Sequence, residues 1–446
     1  MRSNRTARAV ARLRQGPAAV LVALGVLVSA PAAAQTVFPP PSPPDPAPFQ
    51  SSEFALAIAM LNIGCGSAVL PLPVVVCQDR GTQFGRLLAI ELASYPVSAP
   101  TGGFSLTFDP RARAYVRGSS SFGPSFAERP LTNGRHILSV GFSSQHTSFD
   151  ALDGIDLHGI VGQSEVIERP GEFPGAEVAM IDLALSSETS TFFAAFGVTS
   201  RLDVGVVVPY KRIDFSGQQM HYSNDCSSTI GINFAGACTI LGFTQPLHRV
   251  ATGVGDVTVR AKYQWLSRDN LHLGTTLDVS FPTGAVNDFL GTGKISTKGM
   301  LLVSTTLGAL SPHLNLGYTD GGNSLQSVQS SAVPGFTERS REISFVGGVE
   351  ASIGTRLTVT SDVLSKRLLD IGHLQRTTTP NTLGTELFVT TADEIVGNNQ
   401  QLTLVSVGFK LNVTRTYLLK GDVLLPVNYN GLHSRWTPVL GIDYTF

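Results

Sequence analysis

Ten charged residues fall on one parity of strand-like segments: Asp203, Arg260, Lys262, Asp278, Glu350, Asp362, Lys366, Lys420, Asp422 and Asp443. Carboxylates and amines in such numbers could line a polar passage, or pair across strands and stiffen a wall. Both signs occur, so they specify no ion selectivity. The one nucleophile-and-base cluster is His146 with Ser144 or Ser148, the minimum for an ester- or phospholipid-hydrolysing site. Serine is common throughout, so that proximity carries little weight. The nine His residues are scattered without zinc-ligand spacing, and no G-x-S-x-G occurs. The run Gly291-Thr292-Gly293-Lys294 lacks a Walker glycine at Asp288 and is followed by Ile295 rather than Ser or Thr. The reading is therefore of a protein that is not an enzyme, with no metal and no cofactor.

Twelve candidate strands must position these side chains, at 135–149, 178–198, 201–215, 254–266, 271–282, 298–309, 312–320, 341–353, 356–368, 400–412, 415–426 and 434–446. In 257–265, Val257, Val259, Ala261, Tyr263 and Trp265 alternate with Thr258, Arg260, Lys262 and Gln264. Period two of this kind is a strand with one apolar face. The segments 178–198 and 400–412 alternate less cleanly, and bulges or extensions beyond a membrane are expected there. Connections of two to four residues alternate with long ones rich in Gly, Ser, Asn and Pro. Tight periplasmic turns and long outer loops produce that rhythm in an outer-membrane barrel. The predicted fold is all-β, a transmembrane antiparallel β-barrel of about twelve strands.

A charge facing lipid at mid-membrane costs ~2–4 kcal/mol, so the ten charged residues are expected to line the lumen. On the opposite parity, Trp265, Tyr417, Tyr444 and Phe446 are expected at the periplasmic rim. Tyr210, Phe281, Tyr318 and Trp436 are expected at the outer rim, making two girdles.

The ends of the chain agree with export. The first 34 residues hold Arg2, Arg5, Arg8, Arg12 and Arg14, an apolar run from Ala18 to Val28, and Ala32-Ala33-Ala34. Those features describe a cleavable signal peptide. Its removal leaves 27 basic against 33 acidic residues, a net of −6, with no basic cluster for nucleic acid. Only 15% of residues are charged, against ~25% in soluble domains. The chain closes on VLGIDYTF, where Gly441, Tyr444 and Phe446 resemble the C-terminal signal read by the barrel-assembly machinery. The expected location is the bacterial outer membrane, with its lipids as partners. Cys65 with Cys77 and Cys226 with Cys238 read as two local disulfide loops, although connectivity between the pairs stays open.

Residues 36–134 differ from the rest. A Pro-rich spacer from Phe38 to Phe49 cannot form a ladder. Phe84 to Ala93 allows a short helix, and Phe104 to Phe108 with Ala112 to Gly118 allows a hairpin. The division is a signal peptide at 1–34, a linker at 35–50, an N-terminal segment at 51–134 and a barrel at 135–446. The N-terminal segment could be a lumen plug, a periplasmic element, or two further strands raising the count to fourteen.

Residues 196–210, FGVTSRLDVGVVVPY, resemble a family of outer-membrane porins named for the meta-cleavage pathway of phenol degradation. Phe196, Gly197, Thr199, Arg201, Leu202, Asp203, Pro209 and Tyr210 stand in the family's places. GVGDVTVRAKYQWL from Gly253, FPTG from Phe281 and FLGTGK from Phe289 follow in the family's order. The resemblance spans roughly 178–446 and implies uptake of small hydrophobic or aromatic solutes. A diffusion channel for such solutes is thus the leading expectation. The alternatives are a lipid-acting enzyme built on His146, and a structural or adhesive barrel presenting the 216–253 loop.

Overall fold

The computed structural model describes residues 84–99 (except 86), 106–109, 114–117, 119, 121–168, 175–225, 239–268, 270–323, 339–369, 371–383, 386–397, 399–414 and 416–446. The signal-peptide and linker expectations, and all four cysteines, lie outside these residues.

Twelve antiparallel strands close a barrel: β1 (Leu138–Phe149), β2 (Gly175–Gly197), β3 (Leu202–Asp225), β4 (Val257–Arg268), β5 (Leu271–Phe281), β6 (Ser296–Thr305), β7 (Leu310–Asn323), β8 (Arg339–Ile353), β9 (Leu357–Leu369), β10 (Gln400–Asn412), β11 (Tyr417–Pro426) and β12 (Thr437–Thr445). Each pairs with its neighbours in the chain, and β12 pairs with β1 through Thr445↔Ser139, Tyr444↔Val140 and Asp443↔Gly141. The Phe446 amide donates to the Leu138 carbonyl at 2.9 Å, so the last residue completes the seam. Closure removes every sheet edge within the membrane, which an antiparallel sheet in lipid requires. The twelve expected strands are these twelve. The hairpin of Leu106–Asp109 with Ala114–Arg117 forms a separate two-stranded sheet, so the fourteen-strand alternative does not hold.

The outward parity is apolar. Val259, Leu277, Leu301, Leu316, Ile343, Val407 and Leu440 are all exposed on it. Tyr417 and Tyr444 pair across strands with rings 4.6 Å apart, and Tyr444 meets Phe446 edge-on at 4.4 Å. Trp265, Tyr210, Phe281, Tyr318 and Trp436 are likewise exposed. Such a surface is stable only in contact with lipid, and the protein is an outer-membrane barrel.

Three local expectations need correction. Strand β10 holds its register against β9 and β11 without a bulge. Its weak alternation arises because Leu402 and Leu404 are buried inside while Val407 and Phe409 are exposed outside. A bulge does occur at Trp265, where Gln264↔Gly274 is followed by Leu266↔Leu273. The 216–253 stretch is largely not loop. Strand β3 continues to Asp225 and pairs with Thr239–Val254, which runs on into β4 after Gly255 and Asp256. Another outer extension pairs β2 with Ile160–Glu168, and that with the hairpin His373–Leu383/Glu386–Val396. The two free edges of this extended sheet, Thr239–Val254 and His373–Leu383, contain Pro246 and Pro380. Proline blunts an exposed edge against further pairing.

Candidate functional site: the lumen and its N-terminal segment

Residues 84, 85 and 87–94 are helical, and Phe84, Leu87, Leu88, Glu91, Leu92 and Tyr95 are buried. Their spacing of three and four places them on one helix face. That face packs into an apolar dome at the outer mouth, made by Leu183 and Leu185 of β2, Ile213 and Phe215 of β3, Phe149, Leu368 and Leu432. Burying one such side chain is worth ~1.5–3 kcal/mol. The Tyr95 hydroxyl lies 3.1 Å from Ser434 Oγ and 3.2 Å from Thr437 Oγ1.

Farther along, residues 121–134 are buried throughout and follow the inward face to the periplasmic end. The Phe122 amide donates to Thr358 Oγ1, the Phe126 amide to Asp362 Oδ2, and the Asn133 amide to Asp203 Oδ2. Lys410 Nζ donates to the Pro124 carbonyl at 2.6 Å. Segment and barrel are thus one packed body within Ser51–Phe446.

All ten charged candidates face inward, and nine are buried while Arg260 is half-buried. Arg260 clamps Asp278 through Nε at 2.6 Å and Nη2 at 2.5 Å, and its Nη1 meets Glu128 of the N-terminal segment. Lys262 lies 3.7 Å from Asp203 and 3.9 Å from Glu128. Asp362 accepts from His313 at 2.7 Å, and Glu350 lies 3.5 Å from His313 and 3.7 Å from Arg129. Lys420 pairs with Asp443 at 3.0 Å, and Asp422 accepts from Thr360 at 3.3 Å. Lys366 stands higher, donating to Ser94 Oγ at 2.6 Å with Glu91 Oε2 at 3.8 Å. Burial holds the Glu91 carboxyl above its ordinary pKa, against the pull of Lys366.

These contacts divide the lumen into two zones. The periplasmic half is a network of ion pairs closed by Glu128 and Arg129. The outer half of the β9–β12 wall is apolar apart from Lys366, and there Leu364, Leu402, Leu404, Leu424 and Val439 cluster with Phe126. Two cavities of about 370 Å³ and 180 Å³ flank residues 93–97 and share Thr258, Ser280, Thr292 and Ser296. Sequence reasoning overlooked His313, Lys410 and the lumenal leucines. His313 and Lys410 lie on the inward parity of their strands, and the two-faced apolarity of 402–407 was the available sign of the leucines.

The motif residues around 255–292 form one unit. The Asp256 carboxylate accepts from the Gly284 amide at 3.1 Å and from the Thr292 amide and hydroxyl at 2.7 Å each. Thr283 Oγ1 donates to the Gly255 carbonyl at 2.6 Å. The buried Phe289 and Leu290 join the apolar dome, so this outer loop folds inward over the mouth. Residues 181–334 match the family model described as "Putative MetA-pathway of phenol degradation". The match takes in β3, the Asp256 unit and β5, the stretches that carry the family's turn and strand motifs.

Among solved structures, the chain is similar to the COG4313 outer membrane channel from Pseudomonas putida F1, at 13% identity over 70% of this chain and 96% of that one, with a TM-score of 0.39. It is also similar to the CymD monoaromatic hydrocarbon channel, at 10% identity over 70% and 88% with a TM-score of 0.30. A third is the Ralstonia pickettii toluene transporter TbuX, at 12% identity over 72% and 92% with a TM-score of 0.26. No curated protein matches the chain.

His146 points outward from β1 and pairs across the sheet with Glu188 at 3.5 Å, both well exposed. Ser144 and Ser148 share its outward face, two residues away along the strand. Gly441 faces the lumen, where a Cβ would collide with the Lys420 side chain and the Phe142 carbonyl.

Proposed function

We propose that this protein admits small hydrophobic or aromatic solutes across the outer membrane, with residues 84–134 controlling passage through the lumen. The observation that carries this reading is the apolar inner wall of Leu364, Leu402 and Leu404, which lines the larger cavity between the N-terminal segment and the barrel. A barrel of twelve strands needs side chains, loops or a plug to fill it. A lumen serving only stability would have no use for a cavity against leucines. Binding pockets for small organic molecules are of this kind, mostly apolar and of ~300–1,000 Å³. The family's pathway name and the aromatic cargo named for CymD and TbuX accord with the same class of solute. The ten wall charges hold the segment and stiffen the barrel, which leaves solute selection to the apolar zone. Assembly would proceed through the barrel-assembly machinery, reading Gly441, Tyr444 and Phe446.

The test is initial uptake of radiolabelled toluene at low external concentration, in a deletion strain and in the same strain complemented. Complementation should raise the rate several-fold, and Leu364→Lys with Leu402→Lys should abolish the gain while leaving the barrel assembled. Equal uptake with and without the protein would overturn the reading.

A further inference from the structure

We propose that the larger lumen cavity is a binding site for a small apolar solute bearing one neutral hydrogen-bonding group, held by Asn315 and Ser344. The inference rests on the channel reading and adds the chemistry of the solute. Two lateral rows of inward side chains cross this wall. One runs Asn315↔Val346↔Leu364↔Leu404 over β7 to β10, and the next runs Gly317↔Ser344↔Lys366↔Leu402. The first row has its polar group, Asn315, on β7, the second has Ser344 on β8 and Lys366 on β9, and both end on a leucine at β10. Neighbouring strands lie ~4.8 Å apart, so Asn315 and Ser344 each stand two strands, ~10 Å, from the first leucine of their row, room for one aromatic ring between the side chains.

Asn315 is 2% exposed and Ser344 8%, and both line the cavity. Asn315 Oδ1 and Ser344 Oγ nevertheless meet no hydrogen-bond partner in the protein. Buried polar atoms are normally paired, so these two, with Thr319 Oγ1 and Glu128 Oε2 on the same cavity, call for an explanation. The space over Ser344 is kept open by Gly317, where a Cβ would collide with Ser344 Oγ. Charged groups on the same cavity are already engaged: Arg260 with Asp278 and Glu128, Lys298 with Glu342 at 3.1 Å, and Lys366 with Ser94 and, at 3.8 Å, Glu91. A carboxylate or ammonium would find no counter-ion to spare. Amide and hydroxyl groups can each donate or accept, so the complement is a neutral group such as one hydroxyl on a ring.

Equilibrium binding of p-cresol, toluene and p-toluate to the purified barrel in detergent micelles tests this. The three differ only in a hydroxyl, a hydrogen or a carboxylate. p-Cresol should bind ~10-fold tighter than toluene, the ratio a single well-made hydrogen bond supplies, and p-toluate should bind weakest. Asn315→Leu with Ser344→Ala should bring p-cresol to parity with toluene, with folding checked by heat-modifiable mobility. Ser344→Ala alone, a smaller change, should narrow the ratio by ~3-fold. Equal binding of p-cresol and toluene to the wild type, tightest binding of p-toluate, or a ratio untouched by both variants would overturn the site. If the ratio behaves as stated but cellular uptake ignores the protein, the channel reading fails and the site stands. Protein-dependent uptake without the ratio gives the reverse.

Discussion

Lys366 of the barrel wall donates to Ser94 of the N-terminal segment at 2.6 Å, joining residues 272 positions apart in the chain. A hydrogen bond to a charged group contributes ~1.5–3 kcal/mol, and this one ties the segment between two cavities. Lys366→Met should therefore loosen residues 84–99 while the barrel still assembles. Single-channel conductance in planar bilayers should rise, and protease should reach the segment. Unchanged conductance with a folded barrel would show that Lys366 does not hold the segment in place.

Glu91 lies beside the same lysine, and its raised pKa sets a pH dependence. A carboxyl whose folded pKa exceeds its unfolded value stabilises the fold below the unfolded value, and that contribution is lost as pH rises through the folded value. Below the ordinary value of 4.5 the group is protonated in both states. Glu91→Gln should therefore stabilise the protein near pH 8 and lose that advantage near pH 4, read as thermal unfolding at the two pH values. An advantage independent of pH would reject the assignment.

Val259 is exposed on the outer face, and Thr258 lines both cavities and lies 2.7 Å from Ser280 Oγ. Val259→Arg should cost ~2–4 kcal/mol near the bilayer midplane and lower the folded yield. Thr258→Arg should assemble normally and reduce solute uptake by filling the lumen. Heat-modifiable mobility and uptake together separate the two outcomes.

Asp256 anchors the inward-folded loop through three hydrogen bonds. Asp256→Ala leaves those donors without their carboxylate and should free residues 283–292, exposing them to limited proteolysis. Because Thr292 lines both cavities, uptake should also change. An intact loop under protease would mean that the apolar contacts of Phe289 and Leu290 suffice.

Tyr444 packs against Phe446 on one side and Tyr417 on the other near the closing seam. Replacing both with Ser should strip the rim and leave the chain aggregated or degraded in the periplasm. Wild-type levels of a heat-modifiable barrel would remove these rings from assembly.

The sequence by itself determined the twelve strands of the barrel wall and their order, while a count of fourteen stayed open until the Leu106–Asp109 hairpin proved separate. Period two is a local property, and lipid on one side enforces it strand by strand, so Val257 to Trp265 could be read without knowledge of their neighbours. Inward placement of Asp203, Lys262 and the other charges followed from the same parity, since the alternative was a charge in hydrocarbon. Partners were another matter. Arg260 meets Asp278 across one turn, which spacing can suggest, but Glu128, Arg129 and Ser94 come from a segment with no periodic relation to the barrel. Apolar lumen residues were hidden for a related reason: Leu402 and Leu404 break the expected alternation only because Phe126 and the N-terminal segment cover them. Strand length beyond the membrane was equally undetermined, because a Thr-rich hairpin such as His373–Val396 reads like a polar loop until β2 and Ile160–Glu168 supply an edge to pair with. What occupies the lumen depends on contacts between residues hundreds of positions apart, and only the closed barrel brings them within hydrogen-bonding distance.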